Sequence, residues 1–250
     1  MSETKKSTAS GSGSRLRTIE LHYRPVFDIY LNMAIDYETS MQINDRVMGV
    51  MLPKLFVPVA EKSGQITQLT LWVIDEACEA IKRCENREAD INSLIIWVSV
   101  KSLARKSFAN QVIKTVDKQG ISHDRFCFNI TESILEYTKE QVLETINILR
   151  ENGFKVSIDD FGLEYSSLSN LTHYNVDYIG IHSSLLEGIM TSEKTQNMVQ
   201  GIIDFIHKLE VHARVDGIES KEMFELLKKM GADQFKGPYF GDLIKEKQIS

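Results

Sequence analysis

Ile158-Asp159-Asp160-Phe161-Gly162-Leu163-Glu164-Tyr165-Ser166-Ser167-Leu168 places two adjacent carboxylates at the close of an apolar, β-type run and follows them with a glycine-containing loop. Neighbouring strand residues face opposite ways, so using Asp159 and Asp160 at one place requires the strand to end there, and Gly162 permits such a turn. Two readings stand side by side here. The carboxylates are aimed at a common centre, or they form an ordinary Asp-Asp turn at the surface.

On both sides of this stretch, short apolar runs alternate with segments of helical period. Strands are expected over Leu21 to Phe27, Met33 to Met41, Ser93 to Val100, Phe126 to Thr131, Phe154 to Asp159, Tyr178 to His182, Ala213 to Asp216 and Gln234 to Lys236. Helices are expected over Pro53 to Glu61, Leu69 to Arg83, Phe108 to Lys118, Lys139 to Glu151, Lys194 to Leu209 and Lys221 to Met230. The clearest is Lys194 to Leu209, where Val199, Ile202, Ile203, Ile206 and Leu209 share one face. Repeated strand-helix units build a doubly wound sheet or a closed barrel. About eight units in this length favour an α/β fold of the TIM-like (β/α)8 type. A doubly wound sheet more often carries a Gly-rich phosphate turn after its first strand, and none is present.

With 250 residues, 42% of them hydrophobic, the chain is long enough to bury one substantial core. Residues 1–17 are polar and rich in Lys, Ser, Thr and Gly, and are read as a flexible tail; residues 18–250 are read as the barrel domain. A net charge of -6 provides no overall basic field, so nucleic acid is not an expected partner. No run approaches the ~18 apolar residues of a membrane span, and there is no apolar leader core, so a cytoplasmic protein without membrane contact is expected. Cys78, Cys84 and Cys127 have no metal-ligand spacing and are read as reduced, buried thiols.

The active end of a (β/α) barrel lies at the C-terminal ends of its strands. Reading off those ends yields Glu38, Ser99, Asn129 with Glu132 just beyond, Asp159, Asp160, His182, Asp216 and Lys236. Carboxylates that converge must take up protons or be paired with cations, which is how hard divalent ions are held.

The opening stretch resembles the Asp-Asp-Phe-Gly-Thr-Gly-Tyr-Ser-Ser-Leu signature of the EAL domain family, the cyclic di-GMP phosphodiesterases. Ile130-Thr131-Glu132-Ser133 resembles that family's Ile-Thr-Glu-Ser. Phe56-Val57-Pro58-Val59-Ala60-Glu61-Lys62-Ser63-Gly64-Gln65-Ile66 resembles its Phe-Ile-Pro-Leu-Ala-Glu-x-x-Gly-x-Ile segment. The resemblance runs from Ile19 to Asp242 and implies a barrel of the EAL type with two divalent cations at its mouth. Carried over residue by residue, the metal positions are Glu38, Ser99, Asn129, Asp159, Asp160 and Asp216. Ser99 stands where the family has Asn, Asn129 where it has Glu, and Asp216 where it has Glu. The family's lysine associated with the attacking water falls at Gly180, the Asp after it at His182, and the Gln of Gln-Gly-Tyr at Lys236. Among substrate-contact positions, Arg24 replaces Gln and Gln42 replaces Arg.

These departures lead to the expectation of a catalytically silent EAL protein that holds no metal, acting as a regulatory module in bacterial signalling by binding a protein partner, with a homodimer as a further possibility. Lys236 is expected to place its ammonium among Asp159, Asp160 and Asp216, and Glu132 to brace the loop carrying Glu164 and Tyr165. His182 is read as a hydrogen-bonded strand-end histidine. The alternatives are a non-hydrolysing cyclic di-GMP receptor in which Arg24 contacts a phosphate, and, behind it, a working phosphodiesterase using Mg²⁺ or Mn²⁺.

Overall fold

A computed structural model describes residues 17–45, 47–136, 140–163 and 171–250. All of the expected tail but its last residue, and Glu164 and Tyr165, lie outside the described residues. In chain order the elements are β1 (Arg17–Asp28), β2 (Met33–Asp45), β3 (Gly49–Met51), α1 (Pro53–Lys62), α2 (Ile66–Glu85), β4 (Ser93–Trp97), α3 (Val100–Leu103), α4 (Phe108–Gln119), β5 (Phe126–Thr131), α5 (Glu140–Glu151), β6 (Lys155–Phe161), β7 (Tyr178–Ile181), α6 (Glu193–Lys208), β8 (His212–Val215), α7 (Lys221–Lys229), β9 (Gln234–Lys236) and β10 (Ile244–Lys245).

Eight strands close on themselves in the order β1, β2, β4, β5, β6, β7, β8, β9 and back to β1, with β3 and β10 added at the margins. This is the expected TIM-like barrel with one change of direction. From β2 to β9 every neighbour is parallel, whereas β1 runs antiparallel to both β2 and β9. The short connection Ile29 to Asn32 explains why. A parallel crossover takes a dozen or more residues, whereas Asn32, in the left-handed region at φ 51°, closes a tight hairpin. β2 pairs with β4 only over Asp36 to Glu38, then continues with β1 as a two-stranded arm capped by β3.

The main core fills the space between barrel and helices. α2 contributes Ile74, Ala77, Cys78, Ile81 and Cys84, and α6 contributes Val199, Ile203 and Ile206, all fully buried. Inside the barrel the apolar filling is small: Val26, Ile95 and Cys127, with Tyr178 against them. The rest of the interior is polar, which prepares the site above it. Among the described residues no helix is long and apolar enough to cross a membrane.

Candidate functional site

Side chains alternate across a strand, so the residue two positions before each strand-end group shares its face. That parity builds a second polar layer beneath the mouth: Asp36 under Glu38, Ser157 under Asp159, Arg214 under Asp216 and Gln234 under Lys236. The layer is a connected network. Gln234 Nε2 donates to Asp28 Oδ2 at 2.9 Å and to Asp36 Oδ2 at 3.0 Å, and its Oε1 accepts from Arg214 Nε at 2.9 Å. Arg214, 1% exposed, lies over the Tyr178 ring with its guanidinium carbon 4.7 Å from the centroid. Ser157 Oγ donates to Asn129 Oδ1 at 2.7 Å. The strand-end reading omits this layer, although a count of two residues back from Asp216 or Lys236 reaches it.

At the mouth, Lys236 is the centre. Its ammonium lies 2.7 Å from Asp159 Oδ2, 2.9 Å from Glu38 Oε1 and 3.6 Å from Asp216 Oδ2. The expected trio contained Asp160; Glu38 takes that place, because Asp160 turns away. Burial alone would raise the Asp159 carboxyl, but Lys236 and then Arg214 more than offset it and hold the group well below the ordinary carboxylate range. Burial likewise works against the Lys236 ammonium, yet Asp159, Glu38 and Asp216 together keep it charged far above neutrality.

The paired aspartates are presented by a bulge. Ile158 is opposite Ile179 and Phe161 opposite Ile181, so Asp159 and Asp160 together face the single residue Gly180. Asp160 absorbs the extra length with a φ of 62°, an uncommon conformation for a residue other than glycine. The strand therefore does not end at Asp159, as the sequence reading required; it runs on to Phe161, with the first change of direction at Asp160 inside the strand and the expected one at Gly162, at φ 92°, just after it. Asp160 stays half-buried, its carboxyl pushed up by that burial and by the neighbouring Asp159.

The other expected positions divide into two groups. Asn129 joins the cluster, and its Nδ2 donates to Asp159 Oδ2 at 2.9 Å. Arg24 reaches Glu38 Oε2 at 3.9 Å across the β1–β2 pair. Glu132, 3% exposed, accepts from the Gly162 backbone N–H at 3.0 Å, at the start of the loop it is expected to brace. Ser99 faces elsewhere: it caps α3, and its hydroxyl donates to Glu61 Oε1 at 2.5 Å. His182 lies just past β7 with its Nδ1 2.9 Å from Ser184 Oγ, near enough to Asp160 to act on its charge but outside the Lys236 cluster. Gln42 sits opposite Glu20 on the projecting arm. Gly180 lies on β7 in register with Arg214.

The donor set does not match the chemistry of a two-cation site. An ammonium already lies among three carboxylates, the Asn129 amide presents N–H rather than oxygen to Asp159, and the Ser99 hydroxyl is engaged with Glu61. Among the described residues, no group of three or more His, Cys, Asp and Glu side chains is arranged to hold a metal ion.

Comparison with known proteins agrees with the fold. The oxygen sensor protein DosP of Escherichia coli K12 is 27% identical over 231 residues, covering 92% of this chain and 29% of DosP. The cyclic di-GMP phosphodiesterase NbdA of Pseudomonas aeruginosa is 26% identical, covering 89% of this chain and 28% of NbdA. The chain thus spans about three tenths of the length of these curated relatives. Among solved structures, the PaMucR phosphodiesterase in complex with c-di-GMP superposes with a TM-score of 0.83 at 24% identity, covering 93% of this chain and 94% of that one. The FimX EAL domain of Pseudomonas aeruginosa bound to c-di-GMP gives a TM-score of 0.82 at 18% identity, covering 93% of each chain. The EAL domain family profile matches residues 12–242, and with that match over nearly the whole sequence the chain belongs to the EAL domain family of cyclic di-GMP signalling proteins.

Proposed function

We propose that this chain is a non-hydrolysing EAL module that holds no divalent pair and acts by binding another protein. The observation that carries the reading is the Lys236 ammonium among the Asp159, Glu38 and Asp216 carboxylates. Two-metal hydrolysis needs cations that clamp the attacking and leaving oxygens and lower the pKa of a bound water. An ammonium has no open coordination position and does neither. With Gly180 at the position of the family's lysine, no side chain there orients a nucleophile. Groups of this kind are each worth roughly 10²-fold or more in rate, and their losses do not simply add.

A fold that has lost its chemistry acts through its surface, and α1 offers one. The sequence of α1 is apolar nearly all round, a pattern normal for a buried helix, yet none of its residues is buried. Val47, Met48, Val50, Leu52, Leu55 and Val59 form an exposed apolar run through the β2–β3 turn and α1. Lys54 and Lys62 lie within α1 on either side of Leu55 and Val59 in the sequence, Lys101 lies 4.0 Å from Glu61, and Arg105 donates to the Gly64 carbonyl just beyond the helix. The partner that complements it is an amphipathic helix with an apolar stripe and acidic flanks.

Hydrolysis of cyclic di-GMP is measured in excess Mg²⁺ and in excess Mn²⁺. No product above the blank is expected; product that disappears in Asp159→Asn overturns the proposal in favour of a working enzyme. Calorimetry with the same dinucleotide separates the receptor alternative, because binding at micromolar concentration or tighter assigns the pocket to a ligand.

A further inference from the structure

We propose that Gly180 and Lys236 are an interlocked pair: the missing side chain at Gly180 lets the Asp159 carboxylate lie across β7, and only from there does it hold Lys236 as the fixed cation of the pocket. The proposal deepens the reading above, since it concerns the same pocket, but it is tested by folding rather than by turnover.

Glycine at position 180 is not required by the backbone. Gly180 is absent from the glycines with positive φ, and it pairs in regular register with Arg214 on β8. Glycine inside a strand weakens it by chain entropy and lost packing, and a glycine that the backbone does not need commonly marks a close approach by another group. Here that group is Asp159. A Cβ at Gly180 would stand 1.6 Å from Asp159 Oδ1, 2.7 Å from its Cγ and 3.3 Å from its Cα. Any side chain at 180 therefore forces the carboxylate to rotate.

Rotation has a specific consequence. While Oδ1 lies over Gly180, Oδ2 accepts from Lys236 Nζ at 2.7 Å and from Asn129 Nδ2 at 2.9 Å. Turning the carboxylate pulls Oδ2 off both donors and leaves a buried ammonium with Glu38 and the more distant Asp216. Conversely, without Lys236 only the Asn129 amide still holds the carboxylate in that rotamer, and a side chain at 180 meets less resistance. The resemblance adds the other half of the argument. The resemblance implies a lysine at position 180, Gln at 236 and divalent cations beside the carboxylates; in this chain the Lys236 ammonium is the cation among them, and a second lysine at 180 would repel it. The positive charge has in effect passed from β7 to β9, two strands along, and each exchange requires the other. The outcome is a pocket whose cation is part of the chain and cannot dissociate.

The test is a double-mutant cycle by urea unfolding of the full chain: unmodified, Gly180→Ala, Lys236→Gln and the double variant. Gly180→Ala is expected to reduce the folding equilibrium constant at least tenfold more when Lys236 is present than when Gln is there. Effects equal within threefold in the two backgrounds overturn the proposal. If Gly180→Ala unfolds the chain beside Lys236 but not beside Gln, the interlock is supported; if it unfolds the chain in both, the cost is general strain and the proposal falls. A second readout is the thermal midpoint of the unmodified chain in Mn²⁺ against EDTA. No shift is expected, and a rise with Mn²⁺ overturns the resident cation. Product formation in the hydrolysis assay would sink the silent reading without touching the cycle, and additivity in the cycle would sink the pair without restoring activity.

Discussion

Lys236 and Asp159 show how a single pair sets the pH response of a pocket. Breaking a buried pair by removing one partner typically costs ~3 kcal/mol or more, because the other charge is left uncompensated. Lys236→Met should therefore lower stability by about that amount at pH 7. The direction with pH follows from the shifts. Asp159 is held below its unfolded value, so its contribution is present above roughly pH 4 and is lost as pH falls through the folded pKa. Lys236 is raised, so its contribution is present below its unfolded value and is lost only as pH rises through the folded one, far into the alkaline range. The unmodified pair is thus indifferent to pH between 5 and 8. In Lys236→Met, burial pushes Asp159 up against only Arg214 and the Asn129 amide, so the variant loses stability as pH rises. Urea unfolding at pH 5 and pH 8 should show its deficit widening; a deficit constant across that range contradicts the assignment. The thiols are a second case. Burial pushes Cys78 up to about 12 and also raises Cys84 and Cys127, and all three are buried. A disulfide reagent at pH 8 should label none of them in the folded chain and all three in urea; labelling of the folded chain at the rate of free cysteine would refute that burial.

Within α6, packing and propensity act on neighbouring residues with opposite sign. Ile203 is fully buried against the barrel, whereas Gly201, two positions earlier, is exposed, and a Cβ there would meet nothing within 4 Å. Ile203→Ala should cost about 2–5 kcal/mol through lost burial and the cavity left behind. Gly201→Ala should add roughly 0.5–1 kcal/mol, because alanine restricts the unfolded chain and fits the helix. Urea denaturation of both variants checks the pair of signs, and a destabilising Gly201→Ala would mean that this face of α6 is not free. The same helix was legible in the sequence, expected over Lys194 to Leu209 and found over Glu193–Lys208, because a stripe of aliphatic residues at 3.6-residue period is a local signal. The strands β5 and β9 were legible to the residue for a similar reason. What escaped depends on pairing between distant segments. β3 is an edge strand defined only by its partner β2, and the bulge at Asp160 exists only in register with β7. Arg214 was hidden for another reason: a charged residue on a short strand reads as solvent-facing until the barrel closes over it.

At the scale of the whole molecule, the barrel is finished by a clasp beyond the family-matched region. The eight-strand circuit ends with β9, and the family match ends at residue 242, yet β10 adds to β1 by pairing Tyr23 with Ile244 and His22 with Lys245. Immediately after it, Glu246 lies 2.7 Å from Arg83 and 3.0 Å from Arg87 at the C-terminal end of α2, and its backbone carbonyl accepts a further Arg87 hydrogen bond. Ile249, 4% exposed, closes the seam against the core. The last residues thus tie the first strand to the second helix. Removing residues 243–250 deletes no barrel strand, so the chain should still fold with unchanged far-ultraviolet circular dichroism. It should nevertheless lose about 1.5–3 kcal/mol for the Ile249 side chain. The partly exposed arginine pairs add no more than about 1 kcal/mol once solvent screening is counted. For a chain of this size each kcal/mol moves the thermal midpoint by roughly 2–4 °C, which places the truncated protein about 3–16 °C below the full one. The sequence of effects also predicts where the loss divides: Glu246→Gln should reproduce only a small, salt-sensitive part of the shift, and Ile249→Ala most of the remainder. A truncated chain that melts within ~2 °C of the full one would show that β1 and α2 are held by the barrel alone.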